Sequence, residues 1–108
     1  MNFSVTKDGK ALSPELYSWD EKTKTFSSKE DGLVLDFSGI DGVTFKTGWF
    51  CTFVTGDGCT FKTSWSCTFK TGLECVVVRR DIFEVIIPEE NQKIRLNGCE
   101  FKGYEVLL

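Results

Sequence analysis

Between residues 33 and 88, apolar and polar positions recur with a period of eight. Four octads read Asp41-Gly42-Val43-Thr44-Phe45-Lys46-Thr47-Gly48, Trp49-Phe50-Cys51-Thr52-Phe53-Val54-Thr55-Gly56, Asp57-Gly58-Cys59-Thr60-Phe61-Lys62-Thr63-Ser64 and Trp65-Ser66-Cys67-Thr68-Phe69-Lys70-Thr71-Gly72. Looser octads flank them at Leu33–Ile40, Leu73–Arg80 and Asp81–Pro88. A short fixed period of this kind marks a repeat architecture.

Within an octad, positions three to seven alternate apolar and polar, which predicts a strand. Positions three and five, such as Cys59 and Phe61, face one side. Positions four and six, such as Thr60 and Lys62, face the other. Position eight is usually Gly, as expected for a corner that needs a positive φ. Asp-Gly opens the octads at 41 and 57, and Trp opens those at 49 and 65, so the full unit is sixteen residues. The pattern predicts an all-β chain: a small two-sided β-solenoid with sixteen-residue coils of two strand-turn units. Phe45 then stacks near Phe61, and Phe53 near Phe69, with rungs ~4.8 Å apart. An antiparallel β-meander gives the same double period. Its single apolar face would need a cover that the rest of the chain is too small and too polar to provide, whereas a solenoid covers itself.

The ends of such an array expose strand edges and core, and need caps. The reading is one domain, with an N-terminal cap over 1–32, the solenoid over 33–88 and a C-terminal hairpin cap over 89–108. Ser13-Pro14-Glu15-Leu16 suits a short helix with Ser13 as N-cap and Pro14 at the first helical position. Tyr17-Ser18-Trp19 and Lys24-Thr25-Phe26 suit a hairpin whose aromatics close that end. Cys75–Val78 and Ile82–Ile87 are apolar on both faces, so something is expected to pack on their outer side. The expected cover is a hairpin of Lys93–Leu96 and Cys99–Lys102 turning at Asn97-Gly98. Asn97–Tyr104 also copies the octad pattern.

Composition narrows the chemistry. The chain has 108 residues, 41% of them hydrophobic, a net charge of −3 and no histidine. No segment is strongly basic, so no nucleic-acid surface is expected. Met1–Asp8 does not read as a signal peptide, and the apolar runs are too short to span a bilayer, so no membrane role is expected. Five cysteines, an odd number, argue against a secreted disulfide framework and for a cytoplasmic location.

No catalytic, cofactor-binding or metal site is expected. Without histidine there is no Ser/His/Asp or Cys/His set, so the reading is a non-enzyme. Cys51, Cys59, Cys67 and Cys75 recur every eight residues, while zinc ligands come in convergent pairs two to four apart. The ladder reads as small apolar core filler. Lys46, Lys62 and Lys70 read as solubilising residues. Trp49, Phe50 and Trp65 share one line of corners. They are candidate contact residues, and packing under the N-terminal segment is the alternative. Arg79-Arg80-Asp81 breaks the corner pattern. Arg79 and Arg80 are candidates for a partner contact, or else form a corner ion pair with Glu74 or Glu84.

Cys-Thr-Phe-Lys-Thr-Gly at 67–72, its variant at 51–56 and the closing Cys75–Asp81 resemble a group of short bacterial and phage proteins. These carry variable numbers of a Cys-Thr-Phe-x-Thr-Gly octad. The resemblance spans roughly residues 17–104, with Trp19–Phe26 and Val76–Val85 similar to the family's flanks. It implies a bacterial or phage source and an array of variable length, and no activity. The functional expectation is a module that binds a protein partner or self-associates, as an inhibitor of a host protein or as a structural accessory. The alternative is a small-molecule or carbohydrate binder using the exposed Trp corners.

Overall fold

The computed structural model describes residues 3–107. Its strands are β1 (Ser4–Lys7), β2 (Lys10–Ala11), β3 (Tyr17–Asp20), β4 (Thr25–Ser28), β5 (Leu33–Phe37), β6 (Thr44–Lys46), β7 (Thr52–Thr55), β8 (Thr60–Thr63), β9 (Thr68–Lys70), β10 (Val76–Arg79), β11 (Glu84–Ile86), β12 (Lys93–Leu96) and β13 (Tyr104–Leu107). They form two facing sheets, ordered β13-β12-β9-β7-β5-β1-β2 and β11-β10-β8-β6-β4-β3. Consecutive octads alternate between the sheets. Within each sheet the octads pair parallel: Thr44 with Thr60, Thr52 with Thr68, and Thr60 with Val76, each sixteen residues on. This is a β-solenoid of two-octad coils. The antiparallel meander is ruled out by these parallel registers.

The interior follows from the alternation. Cys or Val at position three, Phe at position five and Thr at position seven are buried, while Lys at position six is exposed. Phe45 and Phe61 stack with centroids 5.0 Å apart and planes 3° from parallel, and Phe53 and Phe69 do the same. The two columns meet edge to face, Phe53 against Phe61 at 5.0 Å and 67°. Offset stacking along each column and T-shaped contact between columns are the two arrangements that the ring quadrupole favours.

The corners differ from expectation. The position-eight glycines 48, 56 and 72 do not have positive φ; the left-handed residue is at position two. Gly42 and Gly58 fill it without strain, but Phe50, Ser66 and Glu74 hold φ of 57°, 57° and 59°. A non-glycine residue there costs about 1–2 kcal/mol. Position eight is Gly for lack of room. A Cβ on Gly56 would collide with the Asp41 carboxylate of the previous coil, and one on Gly72 with that of Asp57. Each carboxylate instead accepts a backbone N–H one coil on, Asp41 from Asp57 and Asp57 from Leu73, both at 2.8 Å. At Ser64 the preceding coil offers Trp49 in place of Asp, and a side chain is tolerated.

The looser octads also behave differently. In β5 it is Leu35 that lies beside Phe53, with Leu33 and Phe37 also inward, so the frame is two residues out from the 33–40 octad. The parallel ladder starts earlier than residue 33: β4 pairs parallel with β6, setting Phe26 beside Phe45. The expected 17–26 hairpin forms as β3–β4. Ser13–Leu16 makes one 3-10 turn with Pro14 first, and Ser13 forms no side-chain cap. The N-terminal end is closed by aromatics, with Phe3 stacked on Phe37 at 4.3 Å and Tyr17 on Phe26 at 5.3 Å.

The C-terminal end departs most. The Asp81–Pro88 octad is not a further coil. After a tight turn, β11 runs back antiparallel to β10, pairing Val78 with Val85 and Val77 with Ile86. Asn97-Gly98 does not make the expected hairpin turn, and Cys99–Lys102 is loop, not strand. The partner of β12 is β13, Leu96 opposite Tyr104. β12 itself pairs antiparallel with β9, so the hairpin extends the opposite sheet. It does not cover the outer face of β10 and β11.

Candidate functional site

Two exposed features stand out from the Thr/Lys surface. One is the outer face of β10 and β11. Val76 and Val78 occupy the outward positions that Thr60 and Lys62 hold on β8, and both are half-buried. On β11, Val85 is 62% exposed, flanked by Ile87 at 71% and Phe83 at 89%, while Ile86 between them points into the core. The result is an apolar stripe on the outermost strand of its sheet, with its outer edge unpaired. Edge strands are ordinarily protected by Lys, Pro or a bulge. On the outer face of β11 no such residue is present: the strand's one charge, Glu84, points inward beside Arg79, and Pro88 lies just beyond the strand.

The other feature is the Trp corner line. Trp49 and Trp65 stack on each other, centroids 4.9 Å apart and planes 6° from parallel. Trp49 is exposed and Trp65 half-buried, and the Trp49 carbonyl accepts the Gly32 N–H of the N-terminal segment at 3.1 Å. Phe50, at 60% exposure, stands beside them in its left-handed conformation. Arg80 is exposed and reaches along the same corner to donate to the Thr47 carbonyl at 2.8 Å. Lys29, Lys46, Arg80 and Asp31 line a shallow recess next to Trp49.

Arg79 is a correction. It is fully buried and cannot meet a partner. Its Nε and Nη2 donate to the Asp81 carboxylate at 3.2 and 2.7 Å. Nη1 donates to the Phe101 carbonyl at 2.6 Å and Nη2 also to that of Gly98 at 3.2 Å. Glu84 lies 3.8 Å away and accepts the Gly103 N–H. The ion pairing is therefore with Asp81 and Glu84, not Glu74. It ties the 97–103 loop to the β10–β11 turn. The sequence carried the signal: Arg79 stands at position seven, where the four regular octads hold the buried Thr47, Thr55, Thr63 and Thr71.

The cysteine ladder is inward as expected. Cys51, Cys59, Cys67 and Cys75 are buried and Cys99 is exposed, all as thiols. Three of the buried thiols donate to corner carbonyls of the preceding coil: Cys59 to Ile40, Cys67 to Gly48 and Cys75 to Gly56, at 3.7, 3.3 and 3.4 Å. Cysteine at position three is thus a hydrogen-bonding residue as well as filler. Burial pushes the Cys59 thiol pKa up. Hydrogen bonding to the neighbouring Cys51, with burial, pushes Cys67 up too.

Among the described residues, no group of three or more His, Cys, Asp or Glu is placed to hold a metal, and no helix is long and apolar enough to cross a membrane. Comparison with protein-family models, with curated proteins and with solved structures returns no match.

Proposed function

We propose that this β-solenoid is a non-enzymatic module that works by contacting another protein. The observation that carries this reading is the uncovered apolar stripe of Val76, Val78, Phe83, Val85 and Ile87 on an open sheet edge. Burying such side chains stabilises a contact by roughly 25 cal/mol per Å² of apolar surface, and concentrated apolar exposure is characteristic of interaction sites. Phe50, held exposed at a strained position, makes the Trp49/Trp65 corner a second contact. The facing surfaces of the two indoles are consumed by each other, which weakens the carbohydrate-platform reading. Four buried thiols suit a reducing compartment, the cytoplasm of a bacterium or of a phage-infected host. Inhibition of a host protein and a structural accessory role both suit such a module.

The test is a benzophenone side chain placed at Phe83 in producing cells, with Lys62 as the control position. Discrete adducts from position 83, identified by peptide mass spectrometry and missing from position 62, are expected. Adduct patterns that are equal at the two positions, or empty at both, overturn the reading.

A further inference from the structure

The stripe reads the same forwards and backwards. If β11 pairs antiparallel with a second β11 about a two-fold axis at Val85, Val85 faces itself and Phe83 faces Ile87 of the second copy. Every exposed apolar side chain of the strand then meets an apolar one. Centring the pairing on Glu84 would oppose Glu84 to itself, and centring it on Ile86 would oppose Phe83 to Glu89. Only the Val85 register matches all three.

The fold also permits it. Both sheets run two strands past the last complete coil, β10 and β11 beyond β8, and β12 and β13 beyond β9. They therefore end at the same rung. A two-fold perpendicular to the sheets that joins the β11 edges also sets the β13 edges side by side. Tyr104 and Val106 pair with the core residues Leu96 and Ile94, yet are 42% and 48% exposed, as core-facing residues of an unfinished end. The opposite end offers no such match, since its aromatics are packed together.

We infer that the occupant of the stripe is a second copy of this chain, docked end to end through antiparallel β11–β11 pairing about Val85. This names the partner for the contact surface proposed above and rests on that reading. Edge pairing supplies main-chain hydrogen bonds, and the alternating side chains supply specificity. The interface is isologous, so the assembly closes as a dimer and does not grow into a fibre.

Sedimentation equilibrium of the full chain, from about 1 µM to about 1 mM, covers the affinities open to a small interface. A monomer–dimer equilibrium is expected. Val85→Lys, which sets like charges against each other at the axis, should raise the dissociation constant about 100-fold or more. Its melting temperature, extrapolated to the monomer, should match the wild type, because the site is exposed. A dimer that persists in Val85→Lys and Phe83→Asp overturns the inference. So does a wild type that stays monomeric throughout. In that last case, cross-linking from Phe83 to a different protein leaves the contact-surface reading standing, and absent cross-linking removes both.

Discussion

The carboxylate of Asp57 lies in the space that a Cβ on Gly72 would need and accepts the backbone N–H of Leu73 at 2.8 Å. The Asp-Gly corner of one coil therefore dictates the glycine of the next. Asp31 stands over Gly48 in the same way, but with a difference: there only the side chain is in the way, whereas the backbone of Gly56 and Asp57 also crowds Gly72.

That difference gives a first prediction. Gly48→Ala and Gly72→Ala should each destabilise by about 1–3 kcal/mol, as overpacking does. Adding Asp31→Ala should recover most of the loss at Gly48. Adding Asp57→Ala should recover little at Gly72, because the backbone clash remains and the Leu73 N–H loses its acceptor. Denaturant midpoints of the singles and doubles check this. Equal rescue at the two corners would refute the backbone argument.

Thiol exposure gives a second. A maleimide should modify one cysteine, Cys99, rapidly in the native protein and all five after denaturation. Fast native modification of Cys67 or Cys75 would contradict the inward ladder.

Arg79 gives a third. Arg79→Met leaves Asp81 and Glu84 without their cation and frees the Phe101 and Gly98 carbonyls. A loss of about 3–5 kcal/mol is expected, the range for removing one partner of a buried pair. Arg80→Ala, which removes an exposed side chain making one backbone contact, should cost about 1 kcal/mol or less. Thermal melts of the two variants separate the adjacent arginines.

The fourth concerns pH. Burial raises the Cys59 pKa in the fold above the ordinary thiol value of 9.0. At that thiol the native state therefore holds a proton that the unfolded chain releases. Its contribution to stability is whole below about pH 9 and is lost as pH rises from there through the folded value. The melting temperature should fall across this alkaline window, and Cys59→Ala should flatten the slope while lowering stability at neutral pH. An identical slope in the variant would contradict the assignment.

Much of this was written in the sequence. Strict alternation assigned the inward Cys and Phe, and the alternation of Asp-Gly with Trp corners assigned sixteen residues to a coil. Both rest on local rules: side chains of a strand alternate, and like corners stack on like. The burial of Arg79 was legible by the same parity, at position seven, against the general tendency of an arginine to lie at the surface unless it is paired.

Only the tertiary structure decided the rest. β4 joins the parallel ladder through a register of nineteen residues, Thr25 to Thr44, which no repeat announces. Strand pairing depends on the partner available at the edge, and that is not a property of the segment alone. For the same reason β11 turns back on β10, and the Asn97-Gly98 segment serves the loop that Arg79 holds. The sequence thus determined the coil, its core and its solvated face. Which end was plugged and which left open was decided when Phe3 and Tyr17 packed on one end and β12–β13 joined the sheet opposite β11. That choice left Val85 and its neighbours uncovered, because an edge strand can bury its outer face only if another element, or another molecule, is there to cover it.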